Sequence, residues 1–199
     1  MTAGAPREPR QERSRLTRDR LLTETVDALA RDGWSAATVA AVAERAGVSR
    51  GAAQHHFPTR EALIIAALEQ LFAQLTAAAV AAAQIPAGAD RVAVAIGRAV
   101  EIYTGTAFKA ALQVWAAAAS DPALREVILP MEARFARVAH QMTVAILDPG
   151  GADARAHRVA QVTLDLARGL GLADTLSDDS RRRAQVVATW TEMATAALS

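Results

Sequence analysis

The chain has 199 residues, 52% of them hydrophobic and 22% charged, with a formal net charge of +1 and no cysteine. That length suits a small domain joined to a larger one. Absent cysteine excludes disulfides, thiolate catalysis and cysteine metal sites, and a charge so near zero excludes a protein that coats nucleic acid indiscriminately.

Residues 1–60 carry a net +3 and residues 61–199 a net −2, so the basic excess lies at the N-terminal end. Residues 1–14, with Pro6, Pro9 and interspersed arginine and glutamate, are expected to form a flexible basic arm. Arg7, Arg10, Arg13 and Arg15 in or beside it either keep it soluble or follow a DNA backbone or reach a minor groove. The opening segment has no long apolar run, so neither a signal peptide nor a membrane span is expected, and the expected location is the cytoplasm. From Leu16 to Arg31, the residues Leu22, Val26, Leu29 and Ala30 recur at helical spacing, and Gly33 provides a stop. Trp34 is expected to pack the corner that follows.

Thr38 to Phe57 reads TVAAVAERAGVSRGAAQHHF, two short helices joined by a glycine-containing turn. Val39, Val42, Ala43 and Ala46 share one face, and Gly47 can take the positive φ that ends the first helix. Ser49 can cap the second helix through an N–H near Gly51 or Ala52. Gly51, Ala52 and Ala53 keep that helix slim, while Arg50, Gln54, His55 and His56 supply polar reach. This is the layout of a helix-turn-helix DNA reader.

From about Arg20 through Leu63 the chain resembles the DNA-binding domain of the TetR family of transcriptional regulators. The residues that carry the resemblance are Arg20, Gly33, Thr38, Ala46 to Ser49, Gly51, Ala52 and His55 to Phe57. Gln54 departs from the family's usual tyrosine and exchanges a phenol for an amide, which can meet phosphate or a base edge. The expected DNA-contacting set is Thr38, Ser49, Arg50, Gln54, His55, His56 and Arg60. Arg50 and Gln54 are expected on base edges, His55 and His56 on base and phosphate, and Thr38 on phosphate. The resemblance also implies a basic phosphate contact at Arg60.

Phe57-Pro58 closes the reading helix, and Thr59 can cap a long helix from Arg60 to about Gln84. Beyond Pro86 the pattern is helical and rich in alanine. The expected segments are Asp90 to about Tyr103, Thr106 to Ala119, Pro122 to Leu129, Pro130 to Leu147, Asp153 to Gly169 and Asp178 to Ala197. The fold class is therefore all-α, with an arm over 1–14, a helix-turn-helix domain over 15–60 and a helical ligand-binding and dimerisation domain over 61–199.

The larger side chains among the alanines, Tyr103, Phe108, Leu112, Trp115, Met131, Phe135 and Met142, read singly as core. Together they can leave an apolar cavity, and the resemblance implies an inducer pocket in this region. The expected lining is Tyr103, Phe108, Leu112, Trp115, Met131 and Phe135, with His140 as a polar contact. Near the chain end, Val162, Leu166, Leu170, Val187, Trp190 and Met193 present broad apolar faces. These are expected to meet a symmetry mate in a four-helix contact, as TetR-like proteins usually dimerise.

Enzyme motifs are absent: there is no G-x-S-x-G elbow, H-E-x-x-H site, P-loop or dinucleotide fingerprint. His55 and His56 lie about 100° apart around a helix and do not converge on one metal. The expected function is a ligand-responsive regulator, a repressor that binds a palindromic site in double-stranded DNA as a homodimer. It would be released by a small apolar effector, with no other cofactor and no membrane partner. The alternatives are a TetR-like activator or a regulator controlled by a protein partner, and an all-helical interaction module that binds no specific DNA.

Overall fold

A computed structural model describes residues 10–81, 85 and 88–199. In chain order these form α1 (Arg10–Asp32), a 3-10 turn (Trp34–Ala36), α2 (Val39–Arg45), α3 (Arg50–His56), α4 (Arg60–Ala81), α5 (Arg91–Thr104), α6 (Thr106–Ser120), α7 (Pro122–Leu147), α8 (Ala154–Ala173) and α9 (Ser180–Leu198). Among the described residues there is no strand, and the all-α class holds. No described helix is long and apolar enough to cross a membrane.

α1 buries Leu21, Leu22, Thr25, Ala28 and Leu29 against α4 and α6. It begins at Arg10, inside the expected flexible arm. Arginine is a good helix former and Glu12 sits in the first turn, where a carboxylate complements the helix dipole. The expectation for residues 1–9, Arg7 included, lies outside the described residues, as do the expected end of α4 at Gln84 and the break at Pro86.

Gly33 ends α1 at φ 81° and Gly47 ends α2 at φ 64°, the left-handed region that other residues avoid. Thr38 caps α2 by accepting from Ala41 N at 3.2 Å, and Ser49 caps α3 by accepting from Ala52 N at 3.3 Å. Arg45 ties α2 back to α1 through Asp32 and, at 3.6 Å, Glu24. Thr59 caps α4 through Ala62 N at 3.1 Å.

One buried apolar cluster runs without a break from Val42, Ala53 and Phe57 in the head, through Leu22, Leu29 and Ile64, to Val114, Ile128 and Phe135 in the bundle. The core therefore does not divide at residue 60. α1 docks on α6, and α4 leads on to α7.

Separate helices over 122–129 and 130–147 were the expectation; instead α7 passes through Pro130 as a single helix. Proline removes one N–H from the ladder, and the acceptor it strands is the Glu126 carbonyl. Glu126 and Pro130 are both exposed, so water can reach the interrupted turn, while Ile128 and Met131 on either side are buried and hold the helix in line. α8 crosses α5 closely: a Cβ on Gly171 would lie 1.9 Å from the Tyr103 carbonyl oxygen. At the far end Asp174 holds Lys109 of α6 at 3.1 Å and Arg183 of α9 at 2.6 Å.

Candidate nucleic-acid interface and ligand cavity

α3 has one buried edge and one open edge. Ala53 is 0% exposed and Phe57 is 4% exposed, whereas Arg50, Gly51, Gln54 and His55 face outward. The slim Gly51 has nothing within 4 Å of where a Cβ would sit, so the open edge is unobstructed. Ser49 and Thr38 hold their hydroxyl oxygens on backbone N–H groups at the starts of their helices and fix the direction in which each helix points. His56 is half-buried, and its ring lies 5.8 Å from that of His55. Burial, then the neighbouring His55 and Arg18, hold the His56 imidazole below its ordinary range.

Arg60 turns toward the protein. Its Nε donates to the Ala37 carbonyl at 3.0 Å, an Nη group donates to the Trp34 carbonyl, and the guanidinium lies 4.3 Å from the centre of the Trp34 ring. The Trp34 N–H in turn donates to the Gln113 side chain of α6 at 3.3 Å. Trp34 thus packs the corner after α1 and joins the head to the first residue of α4 and to the middle of α6.

The most enclosed cavity with room for a ligand, about 280 Å³, lies between α4, α5 and α7. Leu75 and Thr76 come from α4, Arg98, Ala99, Glu101 and Ile102 from α5, and Phe135, Val138, Ala139, Met142, Thr143 and Ile146 from α7. The walls are largely apolar. Thr143 spends its hydroxyl hydrogen on the Ala139 carbonyl at 2.8 Å.

Of the residues expected to line it, Phe135 does. Tyr103, Phe108 and Trp115 form an edge-to-face series with centroid separations of 5.3 and 5.7 Å. The space they share with Phe135 is about 10 Å³, too little for a ligand, while Trp115 also lines a separate, more open cavity of about 380 Å³ with Arg125, Glu132 and Arg168. Met131 is core, Leu112 is half-buried on α6 outside the lining of the α4–α5–α7 cavity, and His140 meets the His157 carbonyl of α8 at 3.3 Å. Met142, another of the large side chains noted in the sequence, lines it as well, and the missed residues 138, 139 and 146 share one stripe of α7 with 135 and 142.

Along α8, α9 and the turn between them, Val162, Leu172, Leu176 and Met193 are exposed, with Leu166 and Trp190 half-buried on the two helices. Leu170 is 3% exposed and Val187 packs on the Ile96, Val159 and Ala194 cluster, so these two turn inward. Trp190 touches the same cluster and donates its indole N–H to Thr163 at 2.9 Å. Among the described residues no group of three or more His, Asp or Glu side chains is placed to hold a metal ion.

Residues 21–67 match the sequence model of the bacterial regulatory proteins of the tetR family. The HTH-type transcriptional regulator CymR of Pseudomonas putida is 30% identical over 178 residues, covering 88% of each chain. Among solved structures, a transcriptional regulator from Rhodococcus sp. Rha1 superposes with a TM-score of 0.65 at 25% identity, covering 89% of this chain and 90% of the other. Salmonella enterica GusR does so with a TM-score of 0.66 at 20% identity, covering 92% and 95%.

Proposed function

The chain belongs to the TetR family of bacterial regulatory proteins, and from that premise we propose that it is a transcriptional repressor that reads a palindromic operator as a homodimer and releases it when a small apolar molecule enters the α4–α5–α7 cavity. The observation that carries this reading is the continuity between cavity and reading head: Leu75 and Thr76 line the cavity on the same helix whose first residue, Arg60, is bonded to the Trp34–Ala37 segment.

In this reading Arg50 and Gln54 meet base edges, His55 and His56 share base and phosphate contacts, and Thr38 meets phosphate. Ser49 sets the angle of the helix. Arg60 adds its positive charge near the backbone while it ties α4 to the head. A second copy packs on the α8–α9 face through Val162, Leu166, Trp190 and Met193, with Leu170 and Val187 supporting that face from within. The two reading helices then enter successive major grooves about 34 to 36 Å apart. An effector wedged between α4 and the α5–α7 pair shifts α4 and with it the head, and operator affinity falls through that linkage.

Selection from random-sequence DNA is expected to return a palindrome. A compound that raises the melting temperature should then lower affinity for that duplex, and Ala99→Leu, which fills the cavity, should remove both effects. Independent binding of compound and operator in a joint titration would refute the mechanism.

A further inference from the structure

The family match begins at residue 21, yet α1 begins at Arg10. The added turns extend the stripe that α1 buries in the head. Positions 29, 25, 22, 18, 15 and 11 fall on one helix face at alternating steps of four and three. Leu29, Thr25 and Leu22 on that stripe are buried, and the residues then change to Arg18, Arg15 and Gln11, all exposed. A stripe meant to pack on this chain would have stayed apolar. Residues 10–20 hold five arginines against Glu12 and Asp19.

The extension is joined to the reading helix. The Arg18 guanidinium lies 5.5 Å from the centre of the ring of Phe57, the residue that closes α3, and its charge is one of the causes that lower the His56 pKa. The basic stripe therefore leaves the head at the C-terminal end of α3 and continues outward along a helix.

We propose that the first turns of α1 form a stiff basic outrigger, in which Arg15 and Arg18 contact backbone phosphates of the duplex just outside the half-site that α3 reads. The proposal rests on the DNA-binding reading of the head. With a rise of about 1.5 Å per residue, the stretch from Arg18 back to residue 10 reaches about 12 Å, or roughly 3 to 4 base pairs, beyond α3. Because the segment is helical, the contact is directional. Arg15 lies on the stripe, whereas Arg13, equally exposed, lies on the opposite side of the helix.

The test uses the full chain and a duplex obtained by random-sequence selection, once with long flanks and once trimmed to the two half-sites. Binding is followed by fluorescence anisotropy across a salt series for wild type, Arg15→Ala and Arg13→Ala. On the long duplex Arg15→Ala is expected to bind about threefold to tenfold more weakly, with the salt slope reduced by about one unit. On the trimmed duplex it should match wild type, and Arg13→Ala should keep the wild-type slope on both. An unchanged slope for Arg15→Ala, a loss that persists on the trimmed duplex, or an equal loss for Arg13→Ala overturns the outrigger while leaving operator binding intact. Selection that enriches no sequence overturns the DNA-binding reading, and the outrigger falls with it.

Discussion

Arg60 opens α4 with a guanidinium that faces two carbonyls, from Trp34 and Ala37, and an indole ring. Hydrogen bonds from a charged donor contribute about 1.5–3 kcal/mol, and a partly exposed cation–π contact about 0.5–1 kcal/mol more. Arg60→Ala should therefore lower the free energy of unfolding by about 2 kcal/mol, read by urea denaturation, as well as weaken DNA binding. Stability equal to wild type would show that the Trp34 contacts are not kept in solution. His56 supplies a second residue-level test. Its pKa in the fold is lowered below 6.5, so between that ordinary value and the folded one the unfolded chain binds more protons, and the contribution of His56 to stability is lost as the pH falls. A phosphate partner acts in the opposite sense, because it favours the imidazolium. Operator affinity should thus rise as the pH is lowered through and below about 6.5, relative to a His56→Gln variant whose affinity stays flatter. Parallel curves for the two proteins would remove His56 from the phosphate contacts.

At the scale of single elements, α7 contains an avoidable cost. Pro130 interrupts its ladder on the exposed side, and interior proline costs a helix about 3 kcal/mol, offset by about 0.4–1 kcal/mol from a stiffer unfolded chain. Pro130→Ala should stabilise the protein by about 1–2 kcal/mol, seen as a higher denaturation midpoint with the same cooperativity. A lower midpoint would mean that the interrupted turn is required by packing. The α2–turn–α3 unit was legible in the sequence because its determinants are local: Thr38 and Ser49 bond three residues ahead, and Gly47 needs no distant partner. The passage through Pro130 was not, because it depends on Ile128 and Met131 being held by other helices.

For the whole molecule, the all-α class and the outward edge of α3 could be read from the pattern, but the cavity wall could be read only at Phe135 and Met142. Side-chain size suggested Tyr103, Phe108 and Trp115, whereas the rotation of each helix against its neighbours decides which side chains meet a void: the three rings pack on one another, and Trp115 opens instead onto a separate cavity beside Arg125, Glu132 and Arg168. The inward bonds of Arg60 were not legible for a similar reason: its acceptors lie 23 and 26 residues earlier in the chain. Trp190 supports the subunit through Thr163 and the Ala194 cluster, so assembly is tested at a neighbouring residue that does not. Met193 is 59% exposed, so Met193→Asp should leave the monomer fold unchanged. In a two-fold dimer the charge enters the interface twice, and the dissociation constant should rise by about two orders of magnitude or more. Sedimentation at micromolar concentration reads the change, and an unaltered dimer would move the interface off this face.

The unbroken core beneath the head has a practical consequence for anyone who wishes to redirect this protein to another sequence. α2 and α3 rest chiefly on each other and on α1, while α1 and the Trp34 turn are what meet α6. A transplant cut at residue 60 would replace α1 and present α6 with foreign side chains at Gln113, Ala110 and Val114. The natural unit of exchange is residues 38–57 alone, inserted beneath the resident α1 with Arg60 and Trp34 left in place. A chimera built on that smaller cassette should keep both its parent's thermal midpoint and its response to effector, and the one cut at residue 60 should lose the second even where it keeps the first.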